Sequence, residues 1–497
     1  QYGDVIESRE LIDRVLDHGS WESWDVAVSQ DPADPAYQAT LDRARRVTGL
    51  DEAVLTGSGT IAGHRVAVVA SAFEFLAGSV GVAASRRIRN AIVRATAERL
   101  PLVASPASGG TRLQEGTLAF VQMARISAAL AGHRAAGLPY LVYLRHPTTG
   151  GVLASWGSLG QVTAAEPGAL IGLLGPRVQR TLYGEPLPSD VQSAENLFAH
   201  GLIDAVVAPE DLRDVAGRVL TVLAARPDAT GDTQHGPVPD EGAAMVASGP
   251  AWESVIRSRR ADRPGVRALL KVAASDVTPL SGTGAGERDE ALILALARFG
   301  TASCVVLGQD RRAPEAGESL GPAGLREAIR GMRLAADLDL PLVTVIDTPG
   351  AVPTRESEEG GLAGGIARCL SDLVSLPAPT VCVLLGQGGG GTALALLPAD
   401  RVLCAQHAWL APLPLEAAAE VLYRKADRAP DAAADQGINA AALLSDGIVD
   451  RVIPELPDAA DEPEPFLRRL GAALETEIAA LRRLDRVTRL AVRAIRY

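Results

Sequence analysis

Lysine is almost missing from this chain. Of its 48 basic residues only Lys271 and Lys425 are lysine, which leaves little room for chemistry built on a lysine base or a modified lysine. Cysteine is nearly as scarce. Cys304, Cys369, Cys382 and Cys404 all fall in the second half and show no CxxC spacing, so neither a zinc ribbon nor a disulfide framework is expected, and no metal site. The seven histidines are scattered, with no HExxH and no ligand-spaced pair. There is no GxSxG elbow, and GSGT at 57–60 lacks the GK[ST] that would complete a phosphate loop. No apolar run reaches the roughly 18–20 uncharged residues that a membrane span needs, and the first residues show no basic-then-apolar signal pattern, so a cytoplasmic protein is expected. A net charge of −12 disfavours nucleic acid and anionic membranes as partners.

What is abundant is small and apolar. The 497 residues are 47% hydrophobic and include 50 glycines, with aromatics at only 4%. Such a composition suits Ala/Val/Leu-rich α/β layers with many sharp turns, and the length suits two domains.

A long-period repeat organises the chain. LPLV at 100–103 returns at 340–343. At the same offset Gly110 falls on Gly350, Pro139 on Pro379, Gly150–Gly151 on Gly390–Gly391, and Val162 on Val402. HGLIDAVV at 200–207 then echoes DGIVDRVI at 446–453, shifted by six more residues. Each copy runs from an Ala/Arg-rich helical stretch to a β-branched strand, a glycine turn and another helix. This pattern predicts βαβ units with a mainly parallel sheet in each copy. The Pro/Gly/Asp-rich stretch within 209–265 reads as the joint, and the charged, periodic segment from Glu464 to Arg496 as a packing or oligomer-forming helix.

Two kinds of glycine turn recur. One closes a strand at Gly109–Gly110 and again at Gly350. The other opens a small-residue helix in HPTTGGVLASWGSL at 146–159 and in GQGGGGTALALL at 386–397. Glycine lets backbone N–H groups approach a ligand, and a helix start adds unpaired donors. One such turn alone is commonly just a bend. Both turns in both copies predict two oxyanion holes, one per half. Ser108, Thr148 and His146 read as turn-capping or structural side chains rather than as nucleophile or base. Arg86, Arg87 and Arg89 read as a solvated helix face.

These same motifs carry a family resemblance. PASGGTRLQEGTLAFVQMARISAAL at 106–130, PTTGGVLASWGSLGQVTAAEPGALIGLLGPRV at 147–178 and SAENLFAHGLID at 193–204 resemble the β subunit of bacterial acetyl-CoA carboxylase carboxyltransferase. DTPGAVPTRESEEGG at 347–361 and LLGQGGGGTALAL at 384–396 resemble its α subunit. The resemblance implies an α/β protein of two tandem ClpP/crotonase-like domains: a β-type acyl-CoA-binding domain over 1–230, a linker over 231–265, and an α-type carboxybiotin-binding domain over 266–497. It further implies transfer of CO2 from carboxybiotin to the α-carbon of acetyl-CoA, giving malonyl-CoA for fatty acid synthesis. The thioester oxygen would meet N–H groups near Gly150 and Gly151, with Gly109 and Gly110 opposite. The biotin ureido oxygen would meet Gly391 and Thr392, with Gly350, Ala351 and Gly390 beside it.

Several departures accompany the resemblance. The four-cysteine ribbon common in the separate β subunit is absent, the usual G-E-G-G-S-G-G carries Gln387 and Gly390, and Thr354 replaces a usual glycine. No A-M-K-M motif exists, so biotin must come on a biotin carboxyl carrier protein and be loaded by a separate biotin carboxylase. A homodimer at least is expected, each site shared between the first half of one chain and the second half of another. The alternatives are propionyl-CoA or a longer acyl-CoA as substrate, a biotin-independent acyl-CoA decarboxylase or hydrolase, and a non-catalytic scaffold. A Ser–Lys peptidase is disfavoured because neither lysine lies near a repeat turn.

Overall fold

The computed structural model describes residues 6–28, 34–185, 187–188, 190–223, 249–312, 319–352 and 354–497. Residues 231–248 of the expected linker lie outside the described residues. The chain divides into two compact units, Gln1–Ala224 with Gly284–Glu287, and Ala225–Thr283 with Arg288–Tyr497.

The first unit carries strands β1 (Glu22–Ser23), β2 (Val54–Ile61), β3 (His64–Ser71), β4 (Leu102–Ser105), β5 (Tyr140–Leu144), β6 (Thr148–Thr149), β7 (Val162–Ala165), β8 (Ile171–Gly172) and β9 (Ala205–Val206). Its main sheet runs β1-β2-β3-β4-β5-β7-β9, while β6 and β8 form a small separate pair. The β1–β2 and β2–β3 pairings are antiparallel and the rest are parallel. Every residue of β4 and β5 is buried, as expected for parallel strands covered on both faces. The Ala/Arg-rich stretch forms the helix Val82–Ala97 and the segment after Gly110 forms Gly116–Ala135. Together they seal one face with Ile88, Ile92, Ile126 and Leu130 against Val69, Leu102 and Tyr140.

The second unit repeats this plan with β10 (Ser275–Leu280), β11 (Leu292–Phe299), β12 (Ala302–Gln309), β13 (Leu342–Thr348), β14 (Thr380–Gly388), β15 (Arg401–Ala405) and β16 (Arg451–Ile453) in consecutive order. Two antiparallel pairings again lead into parallel ones. The registers repeat too. Leu102 faces Tyr140, and Leu342 faces Thr380, at the 240-residue offset of the sequence. The helix Ala251–Ser258 packs Val255 into this unit beside Trp409 and Leu415.

The carboxy-terminal segment is two helices rather than one. Pro463–Arg482 buries Phe466, Leu470, Leu474 and Ile478, and Arg486–Arg496 follows it. Asp485 ends the run because its carboxylate accepts the Thr488 N–H at 3.0 Å and caps the second helix. From that helix Arg493, fully buried, spends all five of its N–H groups on Asp400 and on the carbonyls of Leu373, Leu376 and Ala378. Breaking a buried pair on one side costs about 3–5 kcal/mol, because the remaining charge is left uncompensated. Arg493→Met is therefore expected to lower the thermal midpoint clearly and to speed hydrogen exchange across Arg486–Arg496; unchanged exchange there would count against this anchoring.

Candidate active site

In the first unit two backbone segments come into van der Waals contact. A Cβ built on Gly110 would lie 3.4 Å from the Gly150 Cα and 3.5 Å from the Gly151 nitrogen. Gly150 has φ +63°, a left-handed conformation that side chains disfavour. Most of the amides here are already used. Gly109 N–H donates to Ala77 O, Gly110 N–H to Ser108 Oγ, and Gly150 N–H to Leu173 O. The N–H groups of Thr111 and Gly151 have no acceptor among the described residues, and Gly151 is the second residue of the short helix Gly150–Leu153.

The second unit makes the same arrangement. Gly350 N–H donates to Thr348 Oγ1, Gly389 N–H to Thr348 O, and Gly390 N–H to Ala411 O. Ala351 and Gly391 keep N–H groups without an acceptor among the described residues. Gly390, at φ +67°, matches Gly150. Approach is closer here: a Cβ on Gly389 would stand 2.2 Å from the Pro349 carbonyl oxygen, where the first unit tolerates Thr149.

The structure thus brings Gly109 and Gly110 against Gly150 and Gly151, and Pro349 and Gly350 against Gly389, with Ala351 and Gly391 following on the two segments. The open donors include Thr111 with Gly151, and Ala351 with Gly391; Val152 and Thr392, next along the two helix starts, also have N–H groups without an acceptor among the described residues. Thr111 escapes a reading that weighs only glycines. The 240-residue offset from Ala351 was the signal that could have found it. Thr392 is wholly buried, its hydroxyl finds no hydrogen-bond partner, and its carbonyl accepts the Gln309 Nε2–H at 2.8 Å.

The neighbouring side chains serve structure. Ser108 Oγ donates to Gly78 O at 2.6 Å and Thr148 Oγ1 to Arg145 O at 2.8 Å. His146 Nδ1 accepts the Leu170 N–H, and burial holds its imidazole below the usual histidine range. Thr354 caps the helix Arg355–Glu359 reciprocally with Ser357, which gives this departure from glycine a local role. The solvated reading of Arg86 and Arg89 matches their exposure, whereas Arg87 is buried, held by Asp51 at 2.8 Å and close to Asp25. Its partners come from distant segments, so spacing along the helix could not reveal them. Arg86 and Arg87 both border a cavity of about 810 Å³ that also touches Arg112, the residue after Thr111. Among the described residues no group of three metal-ligating side chains comes together.

Two facing N–H donors held by backbone can stabilise a developing oxyanion without a titrating group. Residues 7–490 match the carboxyl transferase domain family, and the chain belongs to it. It is 57% identical over 493 residues to a probable biotin-dependent acyl-coenzyme A carboxylase beta3 subunit of Mycobacterium tuberculosis, covering 99% of this chain and 98% of that one. It is 40% identical over 443 residues to the acetyl-coenzyme A carboxylase carboxyl transferase subunits beta/alpha of Salinispora arenicola, covering 86% and 78%. In fold it is similar to the transcarboxylase 12S structure with methylmalonyl-coenzyme A and methylmalonic acid bound, at TM-score 0.74, 22% identity, and 95% and 89% coverage. Each half has the crotonase-like fold of such domains.

All four cysteines are buried. Burial pushes the thiols of Cys304, Cys369 and Cys382 up to about 12 and raises that of Cys404 as well. At pH 8 the native chain is expected to resist iodoacetamide and to take up four equivalents only after unfolding, read by mass spectrometry; fast labelling of a native thiol would contradict this burial.

Proposed function

We propose that the chain is the carboxyltransferase of a biotin-dependent acyl-CoA carboxylase, acting on acetyl-CoA to give malonyl-CoA. The observation that carries this reading is the repeated pair of unspent N–H groups, Thr111 with Gly151 and Ala351 with Gly391. The β-type unit, residues 1–230, takes the acyl-CoA and the α-type unit, residues 266–497, takes the biotin of a separate carrier protein. Residues 231–265 connect them in sequence, with the helix Ala251–Ser258 packed into the second unit.

In the first cradle Thr111 and Gly151 hold the thioester oxygen. As the α-proton leaves, charge grows on that oxygen and both donors strengthen, so binding favours the transition state over the ground state. One such donor is worth about 10²–10³ in rate. In the second cradle Ala351 and Gly391 hold the ureido oxygen, with Gly350, Gly390 and Thr392 shaping the turn. Gly109 and Gly110 form the wall opposite Gly150. Carboxybiotin, when bound, supplies the activated carboxyl group and the nitrogen base. No histidine or lysine of this chain is needed as the base, which accords with His146 being tied to the Leu170 N–H.

Relatives named for acetyl-coenzyme A support the substrate, while the mycobacterial relative's name specifies only an acyl chain. One methylene in an apolar pocket discriminates by only about 1–3 kcal/mol, so propionyl-CoA is the nearest competitor. Large apolar side chains are exposed around each cradle. Leu113 (86%), Leu118 and Phe120 follow the first turn, and Val352, Leu394 and Leu413 flank the second. Such patches support a homodimer or larger assembly in which another copy covers them.

The purified chain is expected to carboxylate biocytin using malonyl-CoA, and more slowly using methylmalonyl-CoA. A reversed preference would move the substrate to propionyl-CoA, and conversion of malonyl-CoA to acetyl-CoA without biocytin would indicate a decarboxylase. Gly389→Ala is expected to lower the transfer about 10²-fold or more, by forcing apart the segments that carry Ala351 and Gly391. Sedimentation is expected to give at least twice the 51.6 kDa chain mass.

A further inference from the structure

Behind the second cradle lies a line of buried polar groups built from residues other than those behind the first. Asp347, one residue before the end of β13, is 2% exposed. One of its oxygens takes the Arg311 guanidinium at 2.9 Å and the other accepts the Gln387 N–H at 3.1 Å. Gln309, the last residue of β12, is also 2% exposed. Its Oε1 accepts the Asp347 N–H at 3.1 Å, and its Nε2 donates to the Thr392 carbonyl at 2.8 Å. Arg311 is itself held by the carbonyls of Ser258 and Arg260 at 3.1 and 2.8 Å.

These bonds reach every segment that builds the cradle: β13, which leads to Gly350 and Ala351; β14, through Gln387; and the helix start, through Thr392. In the first unit the position matching Asp347 is Ala107, and β3 ends in Ser71 where β12 ends in Gln309. The first cradle therefore stands without this brace.

A buried carboxylate and a buried amide are costly unless every polar atom is matched, and a matched network admits few alternative geometries. The helix it holds, Gly390–Leu394, is one short turn with little internal hydrogen bonding of its own. We infer that Gln309 and Asp347 are positioning residues of the second cradle, fixing the Gly391 turn against the Ala351 segment so that their N–H groups stay aimed at one oxygen. This inference rests on the assignment of that cradle to the biotin donor.

The test uses the full chain in the biocytin carboxylation assay, with KM measured separately for biocytin and for malonyl-CoA. Gln309→Leu leaves the Thr392 carbonyl unpaired and is expected to worsen kcat/KM for biocytin by roughly 10- to 10²-fold, with KM for malonyl-CoA unchanged. Gln309→Glu separates positioning from mere folding. Ionised, its carboxylate cannot donate to Thr392 O; protonated, it can. Its biocytin kcat/KM relative to wild type is expected to recover as pH falls, since burial beside Asp347 raises the pH at which the new carboxyl gains its proton. Wild-type transfer together with an unchanged biocytin kcat/KM in Gln309→Leu and a flat pH ratio in Gln309→Glu would overturn the inference. Equal loss toward both substrates with a lowered thermal midpoint would also overturn it, in favour of a structural role. Absence of transfer in the wild type would instead overturn the carboxyltransferase reading beneath it.

Discussion

Both halves of this protein depend on one constraint: two stretches of backbone must touch where side chains would ordinarily keep them apart. Gly110 against Gly150 and Gly389 against Pro349 are such contacts. Each sets side by side two segments that carry unspent main-chain N–H groups, and each works only because parallel strands deliver those segments at the same end of the sheet. The sheet, its covering helices and the turn hydroxyls of Ser108 and Thr348 all serve to hold those amides in place. Because the donors are backbone groups, their aim is set by the fold and their charge state does not change with pH.

The duplicated plan is supported differently in the two units. The first cradle leans on Arg145, fully buried, which binds Ser105 Oγ at 2.9 Å and the carbonyls of Ile6 and Ser71. Its pKa is lowered by burial to about 10, which leaves it charged at neutral pH. The second leans on Gln309 and Asp347. Duplication preserved the exposed chemistry, the glycines and their neighbours, while the buried supports diverged.

The scarcity of lysine finds a structural meaning here. Arg87, Arg112, Arg145, Arg263 and Arg493 are all buried and each joins segments far apart in sequence. Arg263 grips Glu455 through two bonds of 2.7 and 2.6 Å. A planar guanidinium can satisfy several acceptors at fixed angles and keeps its charge when buried, neither of which an ammonium does well. These arginines act as internal cross-links in a protein whose four cysteines form none.

Much of this was legible in the sequence. Repeat spacing announced two similar units, β-branched runs beginning at LP announced strands, and glycines recurring at one offset marked where the cradles stand. These are local or periodic properties, and elementary backbone chemistry is enough to interpret them. Other features needed the tertiary structure. Which amides remain free is decided by acceptors such as Leu173 and Ala411, more than twenty residues from their donors, so the sequence pointed to Gly150 and Gly151, whereas Gly150 is spent and Thr111 is open beside Gly151. The same applies to Arg87, read as solvated but buried against Asp25 and Asp51, and to the brace of Gln309 and Asp347. Hydrogen-bond partners brought together by strand pairing leave no periodic trace along the chain; only the folded sheet decides them.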